Sequence, residues 1–194
     1  MTFNLTAALE QLIADLAESL PVYRHIDPAR LLVSVSSARN GGSGGVYAKI
    51  HPLRFPGGSR RDVVRRGHHQ LHVEMPEVTR RGAEILYLIY FMVPRFFDLP
   101  LREKLITVCH ELYHISPAFD GDLRRFPGRN FAHGSSRKKY NDLVSQSVDE
   151  YLLLRGEENL PRFLTSTMDE LRRDCRAIVA QRIPAPRLKV VSRG

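Results

Sequence analysis

Two histidines and a glutamate lie close together in the segment "TVCHELYHIS". His110 and His114 are four residues apart, and Glu111 directly follows the first of them. Side chains at positions i and i+4 of an α-helix lie on the same face, one turn apart. Both imidazoles can therefore point at one ion, and zinc readily accepts imidazole nitrogens. The spacing predicts a zinc site with two ligands from a single helical turn.

Glu111 has a different part in this pattern, because it is rotated by roughly 100° from His110 about the helix axis. Its carboxylate is not expected to bind the metal directly, but it can reach a water molecule that the metal holds. Zinc lowers the pKa of such a water, and a nearby carboxylate can take its proton and return it to a leaving amine. The pattern is typical of peptide-bond hydrolysis, with Glu111 as general base and acid.

A catalytic zinc site needs a third protein ligand and an open fourth position. His133, in "AHGSS" after the helix, is the main candidate, and Gly134 would allow the chain to turn sharply there. Glu150 on the next predicted helix is its rival, because zinc also accepts carboxylate oxygens. Asp120 and Asp122 in "FDGDL" are further candidates.

Four other residues could be mistaken for parts of a site. Cys109 precedes His110, and we predict that it packs into the core, as free cysteines usually do. His68, His69 and His72 form a second histidine cluster in "GHHQLH". No carboxylate or cysteine stands at ligand spacing near them, so a surface position is favoured over a second metal site.

The histidine motif lies within a predicted helix that begins near Leu101. Its apolar residues share one broad face, Asp98 could cap its start, and Pro117 ends it shortly after Ile115. A long loop rich in Gly, Asp and Arg follows from Ser116 to Gly134, and loops of this length in compact domains are often functional.

Periodicity predicts further elements around this helix. Apolar stripes predict helices over Leu5–Ser19, Arg137–Arg155 and Arg162–Gln181. Alternating or continuous apolar runs predict strands in "ARLLVSVSSAR" and "VYAKIHPLRF", over Ala83–Met92 and near Gln70–Glu74. The glycine-rich "NGGSGG" is interpreted as a hairpin loop between the first two strands, and "PGGSRRDVVRRGHHQ" as an exposed basic loop.

Length and charge limit the class of protein. A chain of 194 residues suits one domain, which we place at residues 1–183, followed by a flexible basic tail at 184–194. The net charge is +8 and the pI about 9.9. Such a surface favours polyanions, so DNA is a candidate partner. No groove-reading motif accompanies the charge.

The sequence favours a cytoplasmic protein without a membrane segment. The N-terminus has no basic leader before its apolar residues and is interpreted as an amphipathic helix. Two cysteines are too few for a disulfide framework. The longest apolar run, Ile85 to Val93, is shorter than the roughly 20 residues that cross a bilayer.

Over residues 108–140 the chain resembles the SprT-like zinc metallopeptidases, through "HELYH" and a later "HG". The longer pattern "HELYHISPAFDGDLRR…NFAHG" is similar to metallopeptidases of phages and prokaryotes. The resemblance implies an α+β, zincin-like fold, in which a small twisted, mostly antiparallel sheet packs on an active-site helix with flanking helices. It also implies His110, His114 and His133 as zinc ligands and Glu111 as the catalytic acid and base.

The resemblance extends to substrates. In zincins a protein or peptide substrate commonly lies extended along an edge strand, and "AEILYLIYFM" could supply that strand. Some SprT-like proteases act on DNA-bound proteins, which is compatible with the basic surface. A transition-state stabiliser is also required, and the candidates are Tyr140, Tyr113 and the arginines of "DLRRF".

Two other classes of function compete with a zinc metallopeptidase. One is a basic, nucleic-acid-associated protein with a structural zinc site, in which the arginine pairs and "RKK" from Arg137 would form a binding patch if they converge in space. The other is an interaction or toxin-related module in which proteolysis is restricted or absent. The presence of Glu111 argues against a catalytically dead enzyme, because a purely structural site has no need of that carboxylate.

Overall fold

The computed structural model of the protein describes residues 1–37, 45–126 and 137–193. Its helices are α1 (Leu5–Ser19), α2 (Leu101–Tyr113), α3 (Arg137–Arg155) and α4 (Met168–Asp174). Its strands are β1 (Thr2–Asn4), β2 (Leu31–Ser37), β3 (Ala48–Pro52), β4 (Arg61–Arg66), β5 (His69–Glu74), β6 (Thr79–Arg80), β7 (Ala83–Glu84), β8 (Tyr87–Val93), β9 (Ala177–Val179) and β10 (Lys189–Arg193). The mixed α+β class is confirmed.

The central sheet has the strand order β2–β8–β3. Strand β8 pairs parallel with β2 and antiparallel with β3. The sheet is therefore mixed and not mostly antiparallel. The predicted hairpin between β2 and β3 is wrong, because β8 lies between the two strands. Residues 38–44, which include most of "NGGSGG", lie outside the described ranges.

Strand β8 lies at the centre of the core. A continuous apolar run is typical of a strand that is buried on both faces. Ile89 and Phe91 pack with α1 and α2 on one face, whereas Leu88 packs with a smaller apolar cluster on the other. The strand predicted over Ala83–Met92 is divided in two, because β7 ends at Glu84 and β8 begins at Tyr87.

A second sheet contains the most basic part of the chain. Its order is β10–β5–β4, and all neighbours are antiparallel. The exposed basic loop predicted before His69 is wrong, because β4 and β5 form a hairpin there. The predicted tail contains β10, which pairs with β5, and its flexibility stays a prediction. The strand predicted near Gln70–Glu74 is confirmed as β5, whereas β4 was missed because it has no buried residue and its pattern lacks an apolar face.

The last predicted helix is also wrong. Residues Arg162–Gln181 contain a short 3₁₀ turn, then α4, then β9. Thr167 and Glu170 form a capping box that begins α4 as a separate helix. Asp98, which was predicted to cap α2, accepts a hydrogen bond from the Met168 N–H at the start of α4 instead (3.0 Å).

Helices α2 and α3 lie antiparallel and meet over most of their length. Arg102 in the first turn of α2 pairs with Asp149 near the end of α3. At the opposite end, the Tyr140 hydroxyl near the start of α3 donates to the His110 carbonyl near the end of α2 (3.1 Å). The predicted bounds of α3 are confirmed. In the part of the chain that is described, no helix is both long and apolar enough to span a bilayer.

Candidate metal centre

The two imidazoles of the motif come together at the end of α2. The Nε2 atoms of His110 and His114 are 3.1 Å apart, and the ring planes are nearly perpendicular at 83°. Two nitrogens that bind one tetrahedral zinc at about 2.0–2.1 Å lie roughly 3.3 Å apart. The pair therefore fits a shared zinc ion, as its spacing in the sequence predicts.

The Glu111 side chain contacts the central sheet. It is buried, and its Oε2 atom accepts a hydrogen bond from the Ile50 N–H of β3 (2.8 Å). Burial raises the pKa of Glu111 to about 7, although the Ile50 N–H opposes this shift. Such a carboxyl group can both accept and release a proton near neutral pH, which is the property of a general base and acid.

Tyr140 packs against both imidazoles. Its ring centroid is 5.0 Å from that of His110 and 5.4 Å from that of His114. Burial, together with the charge of Glu111, raises the pKa of the Tyr140 hydroxyl. Because this hydroxyl donates to the His110 carbonyl, the contacts of Tyr140 hold the first histidine in place. Its predicted role as a transition-state stabiliser remains a prediction.

We expect Tyr140→Phe to lower the free energy of unfolding by about 1 kcal/mol, the typical contribution of one hydrogen bond. The peptide hydrolysis that the sequence predicts for this site should fall by less than about tenfold, because the ring that orients the imidazoles is retained. Urea unfolding and peptide kinetics check both values. A loss above about 100-fold at unchanged stability would instead support the transition-state role of the hydroxyl.

The chain after α2 folds back against the two histidines. Ile115 forms a bridge with Leu123, and the Arg124 N–H donates to the His114 carbonyl (2.6 Å). The Arg124 side chain donates to the Tyr113 carbonyl (2.8 Å) and lies over the Tyr113 ring (4.3 Å). Arg124 is therefore close to the motif. Its Nε–H is already used in the hydrogen bond to the Tyr113 carbonyl.

Asp122 and Gly121 fix the path of the chain where it folds back after α2. Burial favours the neutral form of Asp122, but Arg125 and the backbone N–H groups of Leu123 and Gly57 hold its pKa below the usual value. Gly121 has φ +88°, and a Cβ atom there would lie 2.4 Å from the Arg54 side chain. Only glycine accepts both conditions without strain.

His133 lies in residues 127–136, which are outside the described ranges. The last described residue before that segment is Phe126. Its ring is 6.2 Å from the Tyr140 ring and 6.4 Å from the Tyr113 ring, measured between centroids. Phe126 therefore lies close to the tyrosine that packs against both imidazoles.

The rival ligand Glu150 lies at the other end of α3. It is exposed and follows Asp149, whose partner Arg102 is in the first turn of α2. Glu150 is ten residues beyond Tyr140, which corresponds to roughly 15 Å along a helix. This position makes Glu150 unsuitable as a ligand to the histidine pair.

The remaining candidates do not join the pair either. Across residues 1–37, 45–126 and 137–193, no group of three or more His, Cys, Asp or Glu side chains is arranged to hold a metal ion. Cys109 is buried in the core as predicted, and burial raises its pKa to about 12. The other histidine cluster is exposed, as expected; it consists of His68, His69 and His72.

The strand that was predicted to bind the substrate as an edge strand is β8, but β8 is the central strand of its sheet. The edge strand beside α2 is β3. Its Ile50 N–H points away from β8, toward Glu111. The sequence showed that β3 is a strand, but the pairing order that makes it an edge depends on contacts distant in the sequence.

Comparisons with protein-family models, with curated proteins and with solved structures give no match to this chain.

Proposed function

We propose that the protein is a zinc-dependent peptidase with a zincin-like arrangement of sheet and helix. His110, His114 and His133 would hold the ion. The proposal rests on one observation above all: two imidazole nitrogens lie at the separation of zinc ligands, and the glutamate that follows the first of them is buried and held by a backbone N–H. When bound, zinc lowers the pKa of a water molecule and polarises the scissile carbonyl.

Glu111 would carry the proton in this reaction. The Ile50 N–H fixes its Oε2 atom, so the carboxylate has a defined position against β3. A base with a pKa near the working pH takes a proton from water and releases it to the leaving amine with little loss in either step. The burial that raises this pKa is therefore useful to the proposed reaction.

The substrate would lie along β3. Backbone groups of alternate residues in an antiparallel strand point to the same edge. Ala48 therefore directs its N–H and carbonyl toward the same side as the Ile50 N–H, away from β8. An extended peptide that pairs with this edge would pass next to Glu111. Strand addition uses backbone hydrogen bonds, so it would impose little sequence preference.

Metal content tests the ligand set. We expect about one zinc per chain in wild-type protein purified without chelator, because three nitrogen ligands suffice for a catalytic site. His133→Ala should lose most of this zinc. Glu150→Ala is the matched control and should retain it, since Glu150 lies far from the pair. Mass spectrometry of the three proteins gives the number of zinc ions per chain in each.

Two outcomes would contradict parts of the proposal. Zinc retained in His133→Ala would exclude that residue as the third ligand. No zinc in the wild type, even after zinc is added back, would exclude a zinc peptidase. The alternative of a basic nucleic-acid-associated protein would then be favoured, and the exposed sheet β10–β5–β4 would be the surface to examine.

A further inference from the structure

We propose that a cavity on the face of the central sheet opposite α2 binds a small organic anion through a phosphate or carboxylate group. The cavity has a volume of about 630 Å³. The sheet forms its floor, and the chain segment from Arg182 to Ala185 forms one wall. This site is separate from the histidine pair and does not depend on the proposed peptidase activity.

The side chains on the floor come from alternate positions of neighbouring strands. Ile50 of β3 packs with α2 in the main core, so Lys49 and His51 point to the other face. Tyr90 of β8 lies directly opposite Lys49 in the sheet register. Ser36 of β2 is a further polar residue of the lining. Three strands thus bring polar groups to one cavity.

Two of these residues have polar atoms that need a partner. The Nε2 atom of His51 and the hydroxyl of Tyr90 are buried, and neither has a hydrogen-bond partner within the described structure. A buried polar group without a partner costs about 1–3 kcal/mol. Two such groups in the lining of one cavity indicate that a polar molecule completes their hydrogen bonds.

The charge of the lining selects an anion. Lys49 and Arg182 both line the cavity, and no Asp or Glu does. Neither of these cations forms an ion pair with any residue that the structure describes. The Arg182 guanidinium donates to the Ser37 hydroxyl at the rim (2.8 Å), which orients it. Phosphate and carboxylate are the groups that arginine and lysine bind best.

His51 is suited to such a ligand in its neutral form. Burial and the neighbouring Lys49 charge lower the pKa of His51. A neutral imidazole carries one N–H, which can be on Nε2 and donate to an anionic oxygen. The Tyr90 hydroxyl can donate beside it. Two cations and two donors would then surround one anionic group.

The size and the remaining lining indicate an organic part of the ligand. Met92, Ile183 and Pro184 contribute apolar surface to the same cavity. Known ligand pockets have volumes of roughly 300–1,000 Å³ and combine apolar walls with a few polar groups. An inorganic ion alone would leave most of this cavity empty. Phenyl phosphate and benzoate are therefore suitable probes for the two anionic groups, and inorganic phosphate tests the need for the apolar part.

Isothermal titration calorimetry on the full chain tests the proposal. We expect phenyl phosphate or benzoate to bind at one site per chain, and more tightly than inorganic phosphate. Lys49→Gln and Arg182→Gln should each weaken this binding about tenfold, the effect of losing roughly 1.4 kcal/mol. Tyr90→Phe should weaken it by a smaller factor, because only one hydrogen bond is lost.

Lys189→Gln is the matched control, since it removes an exposed charge on β10 that is outside the cavity. The affinity of Lys189→Gln for phenyl phosphate and benzoate should stay within twofold of the wild-type affinity. Equal weakening in this control would show that binding is due to net charge alone. Unchanged affinity in Lys49→Gln and Arg182→Gln would place the anion elsewhere, including on the zinc. Absence of binding for both organic probes would overturn the proposal.

Discussion

Glu111→Gln should reduce kcat/KM for peptide hydrolysis by roughly 10²–10⁴-fold, the usual contribution of a general base. The amide is isosteric with the carboxylate, and its oxygen can still accept the hydrogen bond from the Ile50 N–H. The fold and the zinc content should therefore stay unchanged. Peptide kinetics, metal analysis and thermal unfolding on the same preparation separate these effects.

The pH profile of the wild type gives an independent check. Burial raises the pKa of Glu111 in the protein without metal, and the charge of a bound zinc would oppose this rise, so the basic form increases as the pH rises through the resulting pKa. Activity should increase over the same interval, and the residual activity of Glu111→Gln should lack this step. Glu103→Gln is the control, because Glu103 is an exposed carboxylate in the first turn of the same helix. An equal loss of activity in both variants would contradict a specific role for Glu111.

The largest expected effect on stability is that of Lys104→Met. The Lys104 side chain is buried, and its ammonium donates to the carbonyls of Phe163, Leu164 and Ser166 at 3.3, 3.0 and 2.6 Å. Methionine keeps the length but leaves these acceptors without their donor. At about 1 kcal/mol for each bond, unfolding at pH 10 should become easier by about 2 kcal/mol, because the neutral amine keeps two N–H donors there. Tm at that pH should fall by roughly 4–8 °C, as expected for a domain of this size.

This destabilisation should depend on pH. Burial lowers the pKa of Lys104 to about 8, although Asp98 and Glu170 oppose the shift. In the unfolded chain the pKa is about 10.4. Between these values the unfolded state binds more protons than the folded state, so the stability from Lys104 increases as the pH rises. The difference in unfolding free energy between wild type and Lys104→Met should therefore be larger at pH 10 than at pH 7.

Urea unfolding at several pH values measures that difference. Lys138→Met is the matched control, because Lys138 is an exposed lysine near the start of α3. It should change the free energy of unfolding by less than about 0.5 kcal/mol. A difference that shrinks as the pH rises would contradict the assignment of the lowered pKa to Lys104.

The parts of the fold that the sequence predicted are those with local periodicity. The bounds of α1 and α3 were predicted correctly, because an apolar stripe and its ends are visible within one segment. The pairing of His110 with His114 is local for the same reason, since both residues belong to one helical turn. Predictions of this kind need no knowledge of distant contacts.

The strand order and the contacts of Glu111 could not be predicted from local patterns, because they depend on residues far apart in the chain. The position of β8 between β2 and β3 is set by pairing across the core, and it decides which strand is the edge. The hydrogen bond from the Ile50 N–H to Glu111 follows from that position, and so does its effect on the pKa of Glu111. Exposed strands such as β4 escaped prediction for another reason, since they bury too little apolar surface to show a pattern.

The pairing of β1 with β9 has a consequence for synthesis on the ribosome. Phe3 lies opposite Ile178, so almost the whole described chain separates two adjacent strands. Closing such a long loop costs more entropy than local contacts do, and domains with many distant contacts fold slowly. Strand β1 has no partner until β9 leaves the exit tunnel. This part of the fold is therefore expected to form only after the residues between the two strands have been translated.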